Sequence, residues 1–215
     1  MTGVQTCALP ILETIISMTF DDNNHFFDQD DLIRMGIRKV GKNVRIHSSC
    51  IVVGIENISI GDNVRIDGFN SIIAAGGYLN LGSHIHIASH CYIGASAGVT
   101  MEDFSGLAYG IKIHSGSDDY SGEYLTNSTI PSKYKNCKSG PVHLGRHVII
   151  GSNTVILPDV DIPIGCSVGA LSMVTKSLDA WGVYCGCPVR RLKDRSQKLL
   201  EIEKTFLSDM EHMND

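Results

Sequence analysis

From Leu144 to Val174 an aliphatic residue returns at every sixth position, as Leu144, Ile150, Ile156, Ile162, Val168 and Val174. A period of six matches neither the 3.6-residue turn of an amphipathic helix nor a two-residue strand alternation sustained over such a length, so it calls for a short strand and a tight turn, repeated. The same spacing recurs upstream: Val40 and Ile46; Ile60, Ile66 and Ile72; Leu81, Ile87 and Ile93; Leu107 and Ile113. Gly often follows the aliphatic residue (Gly41, Gly61, Gly82, Gly94, Gly145, Gly151), and polar pairs such as Asp62-Asn63 and Ser152-Asn153 then suit a bend. Three such faces make a triangular coil of about eighteen residues, and stacked coils bury a column of Ile, Val and Leu that one coil alone could not. The expected fold is an all-β solenoid, a parallel β-helix.

Composition fits that reading. The chain has 215 residues, enough for one repeat domain, and its 22 Gly with only 7% aromatics suit a core filled by aliphatic side chains. A net charge of −5 with no basic stripe argues against nucleic acid as a partner. No apolar run approaches the ~20 residues of a membrane span. Seven Cys lack paired zinc-type spacing, which reads as reduced thiols in a cytoplasmic protein, with Cys50 and Cys166 at small inward positions.

The ends depart from the repeat. Met1 to Leu12 shows neither hexad spacing nor a signal peptide's charged start, and resembles translated adapter sequence; residues 1–17 are expected to be a non-native extension, with Met18 a plausible start. Residues 18–39, acidic and then apolar at Leu32-Ile33, are expected to cap the first coil, because an open solenoid end exposes core and strand edges. The solenoid should occupy 40–191. Leu199, Ile202, Phe206 and Leu207 share one helical face, which predicts a helix from about Leu192 to Met210, packed on the last coil, within a 192–215 tail.

The largest interruption lies inside the solenoid. From His114 to Pro141 the hexads stop, and Ser117-Asp118-Asp119-Tyr120-Ser121-Gly122 opens a long loop; such loops often carry function. Asp118 and Asp119 are also good formers of an Asx-turn. Nine His are present. Those at 47, 84, 90, 143 and 147 read as solvated turn residues, whereas His86 falls on a flat face and His114 at the mouth of the loop. Trp181 and Tyr184 read as packing beneath the tail helix, and Arg190-Arg191 as either its solvated start or a cationic contact.

Together the hexads, the mid-chain loop and the Val174-Thr175-Lys176 to Gly186-Cys187-Pro188-Val189-Arg190 run resemble the hexapeptide-repeat acyltransferases, over about residues 36 to 207. Galactoside, maltose and chloramphenicol acetyltransferases belong to that family. Ser117 to Gly122 with Gly140-Pro141-Val142 are similar, more narrowly, to sugar O- and N-acetyltransferases of polysaccharide and lipopolysaccharide synthesis. The resemblance implies a left-handed β-helix with a C-terminal helix, acetyl-CoA as acyl donor, no metal, a sugar or nucleotide-sugar acceptor, and a homotrimer with active sites between subunits. It places Ser152, Ala170, Thr175 and Lys176 against acetyl-CoA, and Arg190 and Lys193 near the nucleotide phosphates. Lys193 stands where the family has a second Arg, which removes a bidentate fork.

Acyl transfer to a hydroxyl needs a proton acceptor, and His suits that work because its pKa lies near neutral pH. Aligned on residues 103 to 113, the position of the galactoside enzymes' catalytic His falls on Asp118. His86 and His114 are therefore both candidate bases, with Asp118 or Asp119 as orienter or acceptor of a sugar hydroxyl; an amino-sugar acceptor could supply its own nucleophile. Two other readings use the same scaffold. One is a zinc-dependent hydratase like the gamma-class carbonic anhydrases, suggested by His84, His86 and His90 but opposed by their different directions. The other is a non-catalytic homologue.

Overall fold

A computed structural model describes residues 25–212. The chain winds as a parallel β-helix whose three walls are sheets of nine, six and six strands. One circuit runs from Ile58–Ile60 through Arg65–Ile66 to Ser71–Ile73, and the next from Leu79–Leu81 through His86–Ile87 to Tyr92–Gly94. Six circuits are completed before Gly182–Gly186 begins a seventh. Registers hold along each wall: Ile46 pairs with Ile66, Ile66 with Ile87 and Ile87 with Leu107. Stacked in this way, Ile66, Ile87, Leu107, Ile150 and Val168 form one buried column, with parallel columns on the other two walls.

Coil length differs from the sequence estimate. The pairings of Ile46, Ile66, Ile87 and Leu107 set coils of 20 or 21 residues in the first half, and 18 is reached between the fifth and sixth coils, where Val142 pairs with Val160, Ile150 with Val168 and Ile156 with Val174. Extra residues are taken up at the corner that leads into the wall of Ile58–Ile60 and Leu79–Leu81, as the 3₁₀ turn Ile55–Asn57 and the Gly76-Gly77 bend. The opposite corner needs a left-handed backbone, which Asn43, Asn63, His84, Phe104 and His147 supply in successive coils. Asn and His tolerate that conformation better than most residues.

The first coil is covered by helix α1 (Gln29–Met35). Asp28 and Asp31 form a reciprocal capping box at its start, Gly36 ends it in the left-handed conformation, and Leu32 is its buried plug. At the other end Val189–Asp194 pairs antiparallel with Gly182–Gly186, so residues 192–194 are strand rather than helix. Helix α2 spans Leu199–His212. The helical periodicity was genuine, but the tail first makes a hairpin that satisfies the open sheet edge.

Nor does α2 lie on the last coil. Phe206 packs edge-on against His84 and Phe104, and Glu203 accepts hydrogen bonds from Arg146 and His147. The helix therefore lies along the left-handed corner of the middle coils. His147 is 8% exposed there, not a solvated turn residue. His143 stands on a strand, held by Asp161 at 2.7 Å and Glu102 at 3.1 Å. Trp181 covers Gly165, and buried Tyr184 donates to the Asp179 carbonyl, so both aromatics pack. Cys166 is buried and Cys50 half-buried; burial pushes both thiols up. Among the described residues no helix is long and apolar enough to cross a membrane.

Candidate active site

The loop leaves the third wall after Lys112–His114 and returns at Val142–Leu144. Its stem is a short antiparallel ladder in which Gly116 pairs with Ser139 and Ser117 with Lys138. Gly140 ties the stem to the coil: its N–H donates to Ser115 O at 3.0 Å, and its carbonyl accepts from Asp159 N at 3.3 Å. A Cβ at residue 140 would lie 2.6 Å from that of Asp159, so glycine is required for this approach. Inside the stem, Ser115 Oγ accepts from Ala97 N and donates to Gly94 O.

The two loop carboxylates do different work. Asp119 accepts from Ser121 N at 3.1 Å, Gly122 N at 3.2 Å and Ser121 Oγ, and the Ser121 hydroxyl above all holds its carboxyl below the usual carboxylate range. This is the Asx-turn that the sequence allowed. Asp118 uses Oδ2 for Asn127 N at 3.1 Å and Oδ1 for the Cys137 thiol at 3.5 Å, which fixes the carboxylate across the loop.

Between the stem and the sixth coil opens a cleft of about 1060 Å³. Its lining combines Asp118, Asp119 and Lys138 of the loop and its stem, Leu157, Pro158 and Asp159 of the fifth coil, and Met173, Thr175 and Lys176 of the sixth. Four residues singled out from sequence thus meet in one place. His114 stands at its edge, because it follows Ile113, which pairs with Ile156, the residue before Leu157. Burial, then the Lys112 charge, lowers the His114 pKa below the ordinary histidine value, and Tyr92 lies beside its ring at 5.2 Å. His86 is elsewhere, on the outer face of the nine-stranded wall. Its Nε2 is 2.8 Å from Asp67 Oδ2, and Asp67 also accepts from Arg65. Burial would raise the Asp67 carboxyl, but those two partners outweigh it and hold it low.

Ser152 and Ala170 sit at the far ends of the strands that finish at the cleft, joined by Leu171 N to Ser152 O at 2.8 Å. Gly151 lets those coils touch, since a Cβ there would meet the Ala170 backbone at 2.5 Å. Arg190 and Lys193 lie on the terminal hairpin opposite Cys185 and Val183, away from the cleft lining. His84 and His90 are on different corners, stacked on Phe104 and Phe69, and among the described residues no three ligating side chains converge on a metal site. Sequence reading missed Lys138, Asp159 and Met173. Only Asp159 carried a signal, as the residue after Leu157-Pro158, where the hexad turn would otherwise be small.

No family model matches the chain. It is 40% identical over 181 residues to the dTDP-4-amino-4,6-dideoxy-D-glucose acyltransferase of Escherichia coli, covering 84% of this chain and 94% of that one. The chain belongs to the hexapeptide-repeat acyltransferases. AntD, an N-acyltransferase from Bacillus cereus solved with dTDP and 3-hydroxybutyryl-CoA, superposes with a TM-score of 0.83 at 42% identity, over 87% of this chain and 98% of AntD. A variant of AntD holding dTDP-4-amino-4,6-dideoxyglucose and coenzyme A gives the same TM-score at 42% identity, over 86% and 98% of the two chains. A maltose O-acetyltransferase of Clostridium difficile 630, 20% identical over 90% of each chain with a TM-score of 0.53, shares the fold. The β-helix is thus the left-handed one of this acyltransferase family, and the protein is an acyltransferase.

Proposed function

We propose that this acyltransferase forms an amide between the acyl group of acetyl-CoA, or a short acyl-CoA, and the amine of a nucleotide-linked amino-sugar of the dTDP-4-amino-4,6-dideoxyglucose class. The observation that supports this reading is a cleft whose lining brings Asp118 of the loop together with Thr175 and Lys176 of the sixth coil. The E. coli relative's name supplies the acceptor class, and the AntD complexes the donor class. Such a product would enter polysaccharide or lipopolysaccharide synthesis.

Acyl-CoA supplies an electrophilic thioester carbonyl. The amine nitrogen attacks it, the C–N bond forms, the amine loses a proton and the C–S bond breaks, with the departing thiolate taking up a proton. Asp118, held by Asn127 N and Cys137, accepts a hydrogen bond from the amine and aims it at the thioester. His114, kept neutral by burial at the edge of the cleft, is placed to take the proton, whereas His86 is engaged with Asp67 on another wall. Ser152 and Ala170 stand in the turns before the adjacent strands Val155–Ile156 and Met173–Val174, and Thr175 and Lys176 follow the second of these; the extended donor arm runs along this pair. Arg190 and Lys193 meet the donor's nucleotide phosphates. Exposed Phe69 and Leu171, 64% and 74% accessible, share one corner with Tyr109, which favours a homotrimer that covers them. The cytoplasm, where acyl-CoA and nucleotide sugars are made, is the compartment this chemistry needs.

Thiol release from acetyl-CoA should be fast with dTDP-4-amino-4,6-dideoxyglucose and absent with dTDP-glucose, and mass spectrometry should show one acyl group added to the amine. Release with free sugar hydroxyls but not with nucleotide amino-sugars would overturn the assignment. Light scattering should give three chains per particle.

A further inference from the structure

We infer that Lys138 is a binding residue for the diphosphate of the acceptor, so that the cleft selects a nucleotide-linked amino-sugar over the free sugar. The inference rests on the nucleotide amino-sugar reading above and adds to it where the phosphates lie.

A pyranose with an amine at C4 and a diphosphate at C1 carries opposite charges at opposite ends of its ring. Its site must therefore offer a carboxylate and a cation about one ring apart. Asp118 is the carboxylate. The residue before it, Ser117, pairs with Lys138 across the stem, which sets the two backbones about 5 Å apart and leaves a flexible four-carbon stem to carry the ammonium onward. Both residues line the same cleft.

The other cations of this region are engaged. Lys112 donates to the Gly110 carbonyl, Lys135 to Asn127 O, and Lys133 lies over the Tyr134 ring. The Lys138 ammonium has neither a hydrogen bond nor an ion pair among the described residues, although Asp118, Asp119 and Asp159 line the same cleft. Those three carboxylates would repel a diphosphate, so phosphate binding here requires local positive charge. Lys176 is the other cation lining the cleft; it belongs to the sixth coil rather than the loop, and in the proposed function it serves the acyl-CoA. Lys138 is left for the acceptor.

Calorimetric binding of dTDP to the full-length protein tests this directly. Lys138→Met should weaken dTDP at least tenfold and raise the KM for the nucleotide amino-sugar by a similar factor. The KM for acetyl-CoA should stay within twofold, and Lys138→Arg should recover most of the loss. Equal dTDP affinity in wild type and Lys138→Met would overturn the inference, as would a loss that falls on acetyl-CoA instead. If the wild type binds dTDP yet forms no amide, the proposed reaction fails while the Lys138 comparison still reads out on dTDP. An unchanged melting temperature would show that the exposed substitution leaves the loop folded.

Discussion

Asp118 and Asp119 are neighbours of the same type, and the sequence offered no way to tell them apart. Their hydrogen bonds do. Asp119 spends both oxygens on the Ser121 and Gly122 turn, whereas Asp118 is held by one N–H and one weak thiol donor and lines the cleft with lone pairs to spare. Asp118→Asn keeps the shape but replaces an acceptor with a donor facing the amine. It should raise the acceptor KM and lower kcat, with kcat/KM down roughly 10²-fold, in the range for losing one positioned polar group. Asp119→Asn should cost less in kcat/KM and show instead as faster proteolysis of the loop. Equal kinetic losses in the two variants would mean that the turn, not the carboxylate, sets the activity. His86 carries a related lesson. From sequence it matched His114 as a base, and only the third dimension separates them, because the hexad period tells which wall a residue occupies but not which wall borders the cleft.

Helix α2 shows how far periodicity reaches at the scale of elements. Its helicity was legible from the spacing of Leu199, Ile202, Phe206 and Leu207, but which side docks was not, since Ile202 stays 68% exposed; where it begins and what it covers depend on long-range partners, the Val189–Asp194 hairpin and the His84-Phe104-His147 corner. Glu203 anchors it. Burial raises the Glu203 carboxyl, yet hydrogen bonds from Arg146 and His147 outweigh that and leave it below the usual range. A carboxyl depressed in the folded state contributes stability that is present above its unfolded pKa and is lost as pH falls through the folded one. Docking of α2 should therefore weaken only under acid conditions, below the ordinary glutamate range. Glu203→Gln should weaken the anchor at neutral pH as well, at a cost on the order of 1 kcal/mol, because it removes one of the two carboxylate partners of partly buried Arg146, Asp103 remaining at 2.7 Å. Hydrogen exchange of the α2 amides should then rise at pH 7 while acyl transfer, at a different corner of the solenoid from the helix, is unchanged. Unaltered exchange in that variant would assign docking to Phe206 alone.

At the scale of the whole molecule the hexads specify nearly everything about the walls and little about the cleft. Every aliphatic position read from the repeat between Ile46 and Val174 faces inward, because a six-residue period admits one inward direction per wall. The loop obeys no period, so its stem pairing, and with it Lys138, could not be foreseen. This division predicts that stability and chemistry separate. Ile66 is fully buried, is flanked in register by Ile46 above and Ile87 below, and lies coils away from the cleft. Ile66→Ala should cost about 2–4 kcal/mol, through lost apolar burial and the void left in the column. Because each coil touches only its neighbours, that damage should stay local below the melting transition. Turnover at 20 to 30 degrees below the variant's own Tm, a margin of roughly that size placing it well within the folded baseline, should stay within about twofold of wild type. A fall in kcat as large as that of Asp118→Asn would instead show that strain travels along the core column into the loop, and would make the solenoid a working part of the site.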